Sequence, residues 1–167
     1  MTRIREAALA CLGYLHKEEA LLEEAIKQAE DLYDALNGRN WGCLSELFQR
    51  HAELGQKAGQ LAIEREEIRK RLGSLLGVAP EHVTIGSFLP EVPADLQLAL
   101  QSAKERLMQM CNELKEKNYR NGLVIHGALQ VFNRMLMVMT GQSPSETYTR
   151  SGSVEAMDTR PLFEARG

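Results

Sequence analysis

The stretch NGLVIHGALQVFNRMLMVMTG, residues 121–141, is more apolar than one face of a surface helix requires. In a helix, at about 100° per residue, the polar side chains between residues 122 and 139 fall together within about a third of the circumference. They are His126, Gln130, Asn133 and Arg134. A surface helix usually buries an apolar stripe only about 100° wide or a little more. We therefore expect a partner to cover the remaining apolar side chains.

The apolar stripe of this segment begins far upstream. From Leu96 to Met139, apolar residues recur at alternating steps of three and four. The same spacing continues through KNYRNG, residues 117–122, although one step there is four residues long where the alternation predicts three. Asn121-Gly122 is a pair at which helices often stop, but a broken helix has no reason to resume on the same stripe. We predict one helix of about 45 residues, with Asn121 as a polar register marker on the stripe.

Two further helices with seven-residue apolar spacing precede this one. The first runs from Ile4 to Leu36 and is ended by Asn37-Gly38. The second runs from Trp41 through Phe48 to Leu75 and is closed by Gly77. A connection as short as residues 38–40 makes these two helices antiparallel neighbours. The chain is therefore predicted to be all-α, an antiparallel up-down-up bundle of three long helices with coiled-coil-like packing.

The segments outside the three helices differ in character. Residues 77–93 contain three prolines and two glycines, which indicates an ordered loop. Its large apolar residues are expected to fold back over the end of the bundle: Val83, Ile85, Phe88 and Leu89. Residues 142–167 are rich in Ser, Thr, Gly and Pro, which is typical of a mobile tail. We predict a helical bundle domain, residues 1–141, and a flexible C-terminal tail, residues 142–167.

The third helix is expected to be longer than its neighbours. At about 1.5 Å per residue it measures about 70 Å, against about 50 Å for each of the other two. If the bundle starts level near Pro93, the last turns of this helix project beyond the hairpin. Their apolar side chains predict docking of a partner helix, with anchors at i, i+3, i+4 and i+7. The predicted partner-binding residues are Leu123, Ile125, Ala128, Leu129, Phe132, Met135, Leu136 and Met139.

Composition and motifs argue against several functional classes. The net charge of -3 makes nucleic acid an unexpected partner. Cys11, Cys43 and Cys111 are isolated from one another in the sequence, as in proteins of a reducing compartment. The sequence has no Glu-x-x-His, Cys-x-x-Cys or phosphate-loop motif, so we expect no metal, no cofactor and no enzymatic activity. The polar side chains within residues 121–141 would lie inside a bilayer, so direct membrane insertion is not expected.

Two motifs carry a resemblance to a known family. They are the late helix NYRNGLVIHGALQVFNRMLMVMTG, residues 118–141, and YTRSG, residues 148–152. With the three-helix layout, they make the chain similar to the flagellar type III export chaperones of the FlgN-like family. The resemblance implies a cytoplasmic chaperone that binds the amphipathic C-terminal helices of the hook-filament junction proteins, prevents their premature polymerisation and delivers them to the export gate. It also implies that Tyr148 engages the export-gate membrane protein.

Other interpretations of the apolar late helix remain open. The helix could pack on its symmetry mate and close a homodimer. The chain would then be a non-catalytic helical scaffold or a homodimeric coiled-coil adaptor with no client. Both roles would hold if self-association masked the surface until a client arrived. A membrane-surface or filament-forming coiled coil is a third hypothesis. The interruptions at Gly38 and at the proline-containing loop disfavour long filaments, and the membrane-surface alternative remains open.

Overall fold

The computed structural model describes residues 2–38, 40–140, 146–148 and 154–156. Its helices are α1 (Thr2–Asn37), α2 (Leu44–Leu76), α3 (Ile85–Phe88) and α4 (Ala94–Met139). Single 3₁₀ turns lie in the connections, at Trp41–Cys43, Pro80–His82 and Leu89–Glu91. Two three-residue strands, β1 (Glu146–Tyr148) and β2 (Val154–Ala156), pair antiparallel. The predicted helical fold class is confirmed, whereas the short α3 and the strands are additions.

The chain divides into two compact units, Met1–Asn121 and Gly122–Gly167. The first unit holds α1, α2, α3 and most of α4, and the second begins within α4. The predicted domain of residues 1–141 and the predicted flexible tail of residues 142–167 stay predictions. Apart from the two strands, that tail lies outside the described residues.

Glycines end the first two long helices where the sequence predicts. The Gly38 amide donates to the Asp34 carbonyl at 2.8 Å, which closes α1. Gly77 has a φ of 69° and terminates α2 in the left-handed conformation that glycine adopts at low cost. The Val78 amide then donates to the Gly73 carbonyl at 3.0 Å. A Cβ atom added at Gly73 would lie 2.7 Å from the Val78 carbonyl oxygen, so this close return of the chain requires glycine.

Ion pairs give the relative directions of the long helices within Met1–Asn121. Between α1 and α2 the pairs are Lys17–Glu64, Glu24–Lys57 and Asp31–Arg50. Residue numbers rise by seven along α1 and fall by seven along α2, as in antiparallel helices with heptad spacing. Between α1 and α4 the pairs are Arg5–Asp95, Glu19–Arg106 and Glu30–Lys117. Here both numbers rise together, so these two helices run in the same direction.

The core lies where the loop between α2 and α4 meets the long helices. Phe88 and Leu100 are fully buried there, and Val83 is 7% exposed. Ile85 and Leu89 pack against the same core. The expectation that the apolar residues of this loop cover the end of the bundle is therefore confirmed.

A capping box explains why the loop contains a short helix. The Ser87 amide donates to Thr84 Oγ1 at 3.0 Å, and the Thr84 amide donates to Ser87 Oγ at 2.9 Å. These bonds satisfy two amides that a helix start would leave unpaired. They hold α3 so that Phe88, its last residue, enters the core.

The predicted continuity of α4 is confirmed. The helix spans 46 residues, and its inward positions include the buried residues Leu100, Ala103, Leu107 and Asn121. The predicted register of α2 is wrong in its first turns. Phe48, expected on the apolar stripe, is 58% exposed, whereas its neighbour Leu47 is buried. The reason is the helical repeat of α2 itself. Leu47 precedes the buried Leu54 by seven residues and shares its side of the helix, whereas Phe48 precedes it by six and lies about 120° away around the helix.

Leu100→Ala should lower the free energy of unfolding by about 3 kcal/mol, because it removes a fully buried side chain and leaves a cavity. Leu98→Ala makes the same chemical change two residues away, where the side chain is 76% exposed. It should alter stability by less than about 0.5 kcal/mol. Urea unfolding followed by circular dichroism measures both. Equal losses in the two variants would contradict the described core.

Candidate functional site

The predicted partner-binding residues are all exposed. We call this set the late-helix surface: Leu123, Ile125, Ala128, Leu129, Phe132, Met135, Leu136 and Met139. Phe132 and Met135 are 57% and 59% exposed, and Met139 reaches 82%. Singly exposed apolar residues are ordinary in soluble proteins, but a contiguous apolar patch marks a site of interaction.

Most of the late-helix surface forms one face. Ile125, Phe132 and Met139 are spaced by seven, and so are Ala128 with Met135 and Leu129 with Leu136. At 3.6 residues per turn, these seven side chains fall within about 120° of the helix circumference. Leu123 is exposed but lies on the opposite side of α4 by the same repeat. One partner helix can therefore contact the seven and not Leu123.

The prediction leaves out apolar residues that border this face. Val131 and Val138 are 52% and 71% exposed. Together with the half-buried Val124 they form another series spaced by seven. Around the helix these positions lie next to Ala128 and Met135, at one edge of the face, so the apolar face is wider than one coiled-coil seam. Their regular spacing was visible in the sequence and could have identified them.

A polar strip occupies the remaining side of the late helix. Gln130 Nε2 lies 3.0 Å from His126 Nε2, one turn away. Asn133 and Arg134 extend the strip toward the C-terminus, and both are exposed. Thr140 then caps the helix, since its hydroxyl donates to the Leu136 carbonyl at 2.8 Å. Because these side chains are polar, this side of the helix is suited to contact with water. An apolar partner is therefore expected on the other side.

The last residues of α4 within Met1–Asn121 are fixed to α1 by polar contacts. Asn121 is only 3% exposed, and its Nδ2 donates to the Ala29 carbonyl at 2.7 Å. Lys117 donates to Glu30 Oε2, and this bond lowers the pKa of Glu30 and raises that of Lys117. Asn121 thus occupies the inward stripe as predicted, with a specific partner on the neighbouring helix.

An aromatic contact supports the same region. The guanidinium carbon of Arg120 lies 3.5 Å from the centre of the Tyr33 ring. Its Nη2 is 3.3 Å from Glu30 Oε1, so the cation meets both a carboxylate and an aromatic face. These contacts hold the end of this unit in place, which keeps the register of α4 defined up to Asn121.

The predicted gate-docking residue lies apart from the late helix in sequence. Tyr148 is the last residue of β1, and its backbone pairs with Val154 of β2. The surroundings of its side chain lie outside the described residues. The role assigned to Tyr148 therefore stays a prediction.

Two chemical features bear on other functions. Helix α4 is long and apolar enough to cross a membrane by length and composition alone, with a mean hydropathy of 1.3 over its most apolar 18 residues. None of that window is buried. Within the described part of the chain, no group of three His, Cys, Asp or Glu side chains is arranged to hold a metal ion.

Comparison with known proteins gives one match. A family model described as FlgN protein matches residues 7–156, which include all the helices and both strands apart from the first five residues of α1. No curated protein and no solved structure matches the chain.

Glu30→Gln should make the protein less sensitive to acid. The pKa of Glu30 lies below its ordinary value of 4.5 because Lys117 donates a hydrogen bond to it. The pair therefore stabilises the fold above the unfolded-state pKa, and this contribution is lost as the pH falls through the folded-state pKa. Urea unfolding between about pH 5 and pH 3 should show a shallower loss of stability in the variant than in the unmodified chain.

Glu23→Gln is the control for this titration. Glu23 is exposed on the same helix and forms no ion pair with any residue that the structure describes. This variant should keep the pH dependence of the unmodified chain. The role of the Glu30–Lys117 pair is refuted if Glu30→Gln keeps it as well.

Proposed function

We infer the function from a premise that the family match establishes: the chain belongs to the FlgN protein family and is a flagellar export chaperone. We propose that it binds the amphipathic C-terminal helices of the hook-filament junction proteins in the cytoplasm. Binding would prevent these clients from polymerising before export, and the chaperone would then deliver them to the export gate. The observation that supports this most is the exposure of the late-helix surface.

The arrangement of this surface suits an amphipathic helix. Its seven aligned residues, Ile125 to Met139, span about 21 Å, or four turns. A client helix with apolar residues at the same spacing would interdigitate with them. Burying about 600 Å² of apolar surface contributes about 15 kcal/mol before the costs of ordering and association are subtracted. Micromolar to nanomolar affinity is a reasonable outcome.

Methionines make the surface adaptable. Met135 and Met139 of the late-helix surface are both exposed and have unbranched, polarizable side chains. Such side chains repack against differently shaped partners at small cost. This favours a chaperone that accepts two related junction proteins over one specialised for a single client.

The proposed function needs no catalysis. Capture and release of a helix require only an apolar surface and a means of delivery, so we propose a non-enzymatic role without metal or cofactor. The polar strip of His126, Gln130, Asn133 and Arg134 favours a protein partner over insertion into a bilayer.

We further propose coiled-coil-like, up-down-up packing of the long helices, which the seven-residue steps between successive ion pairs support.

A second candidate function uses the same surface differently. The apolar face extends beyond one seam because Val131 and Val138 border it. A face of this width could also close a homodimer, with the late helices of two copies packed together. The chain would then be a homodimeric adaptor, or its self-association would compete with client binding.

Phe132→Asp should weaken binding of the client's C-terminal helix on the order of 100-fold, because it buries a charge at the centre of the apolar face. Asn133→Asp adds the same charge at the next residue, on the polar strip, and should leave affinity within about threefold. Titration calorimetry with the full chain and a client peptide measures both. Circular dichroism must show unchanged helicity in each variant. If both variants bind like the unmodified chain, the client does not dock on this face.

Tyr148→Ala should leave client affinity unchanged and impair export, because we assign this residue to the gate and not to the client. Tyr119→Ala is the control, since Tyr119 is 72% exposed on α4 and has no assigned role. Secretion of the junction proteins by cells carrying each variant is the measurement. Normal secretion with Tyr148→Ala would contradict the assignment.

A further inference from the structure

A groove on the first unit shares no residue with the late-helix surface. It has a volume of about 380 Å³ and lies between α1, α3 and α4, within Met1–Asn121. Its walls are mainly apolar, and they include Leu22, Ile85, Leu107 and Met108. Met108 is 57% exposed, so apolar surface in this groove is open to solvent. We call it the α1–α4 groove.

The shape of the α1–α4 groove follows the helical repeat. On α1 the lining residues are 15, 18 and 22, and on α4 they are 104, 107, 108, 111, 112 and 115. Both sets follow spacings of three, four and seven, which place residues on one face of a helix. The two helices run in the same direction here, so they form two nearly parallel ridges with a trough between them. Such a trough accepts a third helix.

Two lysines stand at this groove without an acidic partner. Lys104 and Lys115 form no ion pair within the part of the chain that the structure describes, although most of the other described lysines and arginines of this unit do. Their neighbours three and four residues away along α4 are all uncharged. The two residues are eleven positions apart, which separates them by about 16 Å along the helix.

The acid that lines the groove is engaged elsewhere. Glu18 Oε1 lies 4.0 Å from Arg65 Nη1 of α2. The charged lining residues therefore sum to one positive charge, Lys104 and Lys115 against Glu18, on a chain whose net charge is -3. An apolar trough with a cation toward each end is complementary to an apolar segment with an acid toward each end.

We propose that the α1–α4 groove is a second docking site, which receives an amphipathic helical segment of a partner protein with acidic residues about three turns apart. The apolar side of the segment packs on Leu22, Ile85 and Met108, and its two carboxylates pair with Lys104 and Lys115. Burial of apolar surface supplies affinity, and the lysines fix the position and direction of the segment. The proposal does not depend on client capture by the late helix.

Cys111 is a native reporter for this groove. It lines the groove and is exposed, whereas Cys11 is buried and its pKa is raised to about 11 by that burial. A maleimide reacts with the thiolate, so Cys11 should react slowly. Cys43 is intermediate in exposure, and Cys43→Ser in the full chain removes its contribution. The rate of modification then reports whether the groove is covered.

The probe is a synthetic 18-residue helical peptide with leucines at positions i, i+3 and i+7 on one face and two glutamates eleven residues apart. A matched peptide carries lysines in place of the glutamates. We expect the acidic peptide to bind at least tenfold more tightly by fluorescence anisotropy and to slow Cys111 modification at least fivefold. Raising the salt concentration should weaken its binding. Lys104→Glu with Lys115→Glu should reverse the preference between the peptides.

Two controls separate this site from its alternatives. Arg3→Glu with Lys70→Glu makes the same change in net charge away from the groove and should keep the preference for the acidic peptide. Phe132→Asp should leave Cys111 protection unchanged, because Phe132 belongs to the late-helix surface. Equal affinity for the two peptides would overturn the proposal. Binding that leaves Cys111 reactive, or that Phe132→Asp abolishes, would also overturn it.

Discussion

The architecture rests on one apolar stripe along α4 whose environment changes at Asn121. Before this residue the stripe is inward-facing, with Leu100, Ala103 and Leu107 in the core. After it the same seven-residue spacing continues through Ile125, Phe132 and Met139, all of which are exposed. The apolar spacing that packs α4 against α1 therefore continues beyond Asn121, where no described residue buries it. In our interpretation, a partner helix takes the place of that cover.

Asn121 marks this change at an energetic cost. Its Nδ2 is satisfied by the Ala29 carbonyl, but its Oδ1 is buried without a hydrogen-bond partner in the described chain. An apolar residue would avoid that cost, which is about 1–3 kcal/mol for an unpaired buried polar group. A single buried amide on an apolar seam fixes register, because any other alignment leaves both of its polar groups unpaired. The nearby Lys117–Glu30 and Arg120–Tyr33 contacts reinforce that alignment.

Local sequence signals predicted much of the fold and of the site. Asn37-Gly38 and Gly77 both mark helix ends, and Gly77 adopts the left-handed conformation that favours glycine. Continuous heptad phase predicted one helix through Gly122. Other features depend on interactions that spacing does not encode. The Thr84–Ser87 capping box, which forms α3, is an example. The error at Phe48 had another cause, because its separation of six residues from Leu54 already places it off the buried side of α2. In the site, composition correctly indicated exposed apolar residues. The position of Leu123 on the opposite side of α4 from the other seven predicted partner-binding residues emerges only when the angle of each residue around the helix is worked out.

The most direct test asks whether the free chain leaves the late-helix surface open. Light scattering gives the molar mass of the full chain, and an apolar dye reports exposed apolar surface before and after addition of a client's C-terminal helix. We expect the mass of one chain, 18.7 kDa, with strong dye fluorescence that falls as the client binds. A dimer with weak fluorescence that the client does not change would show that a second copy already covers the surface, and would contradict client capture.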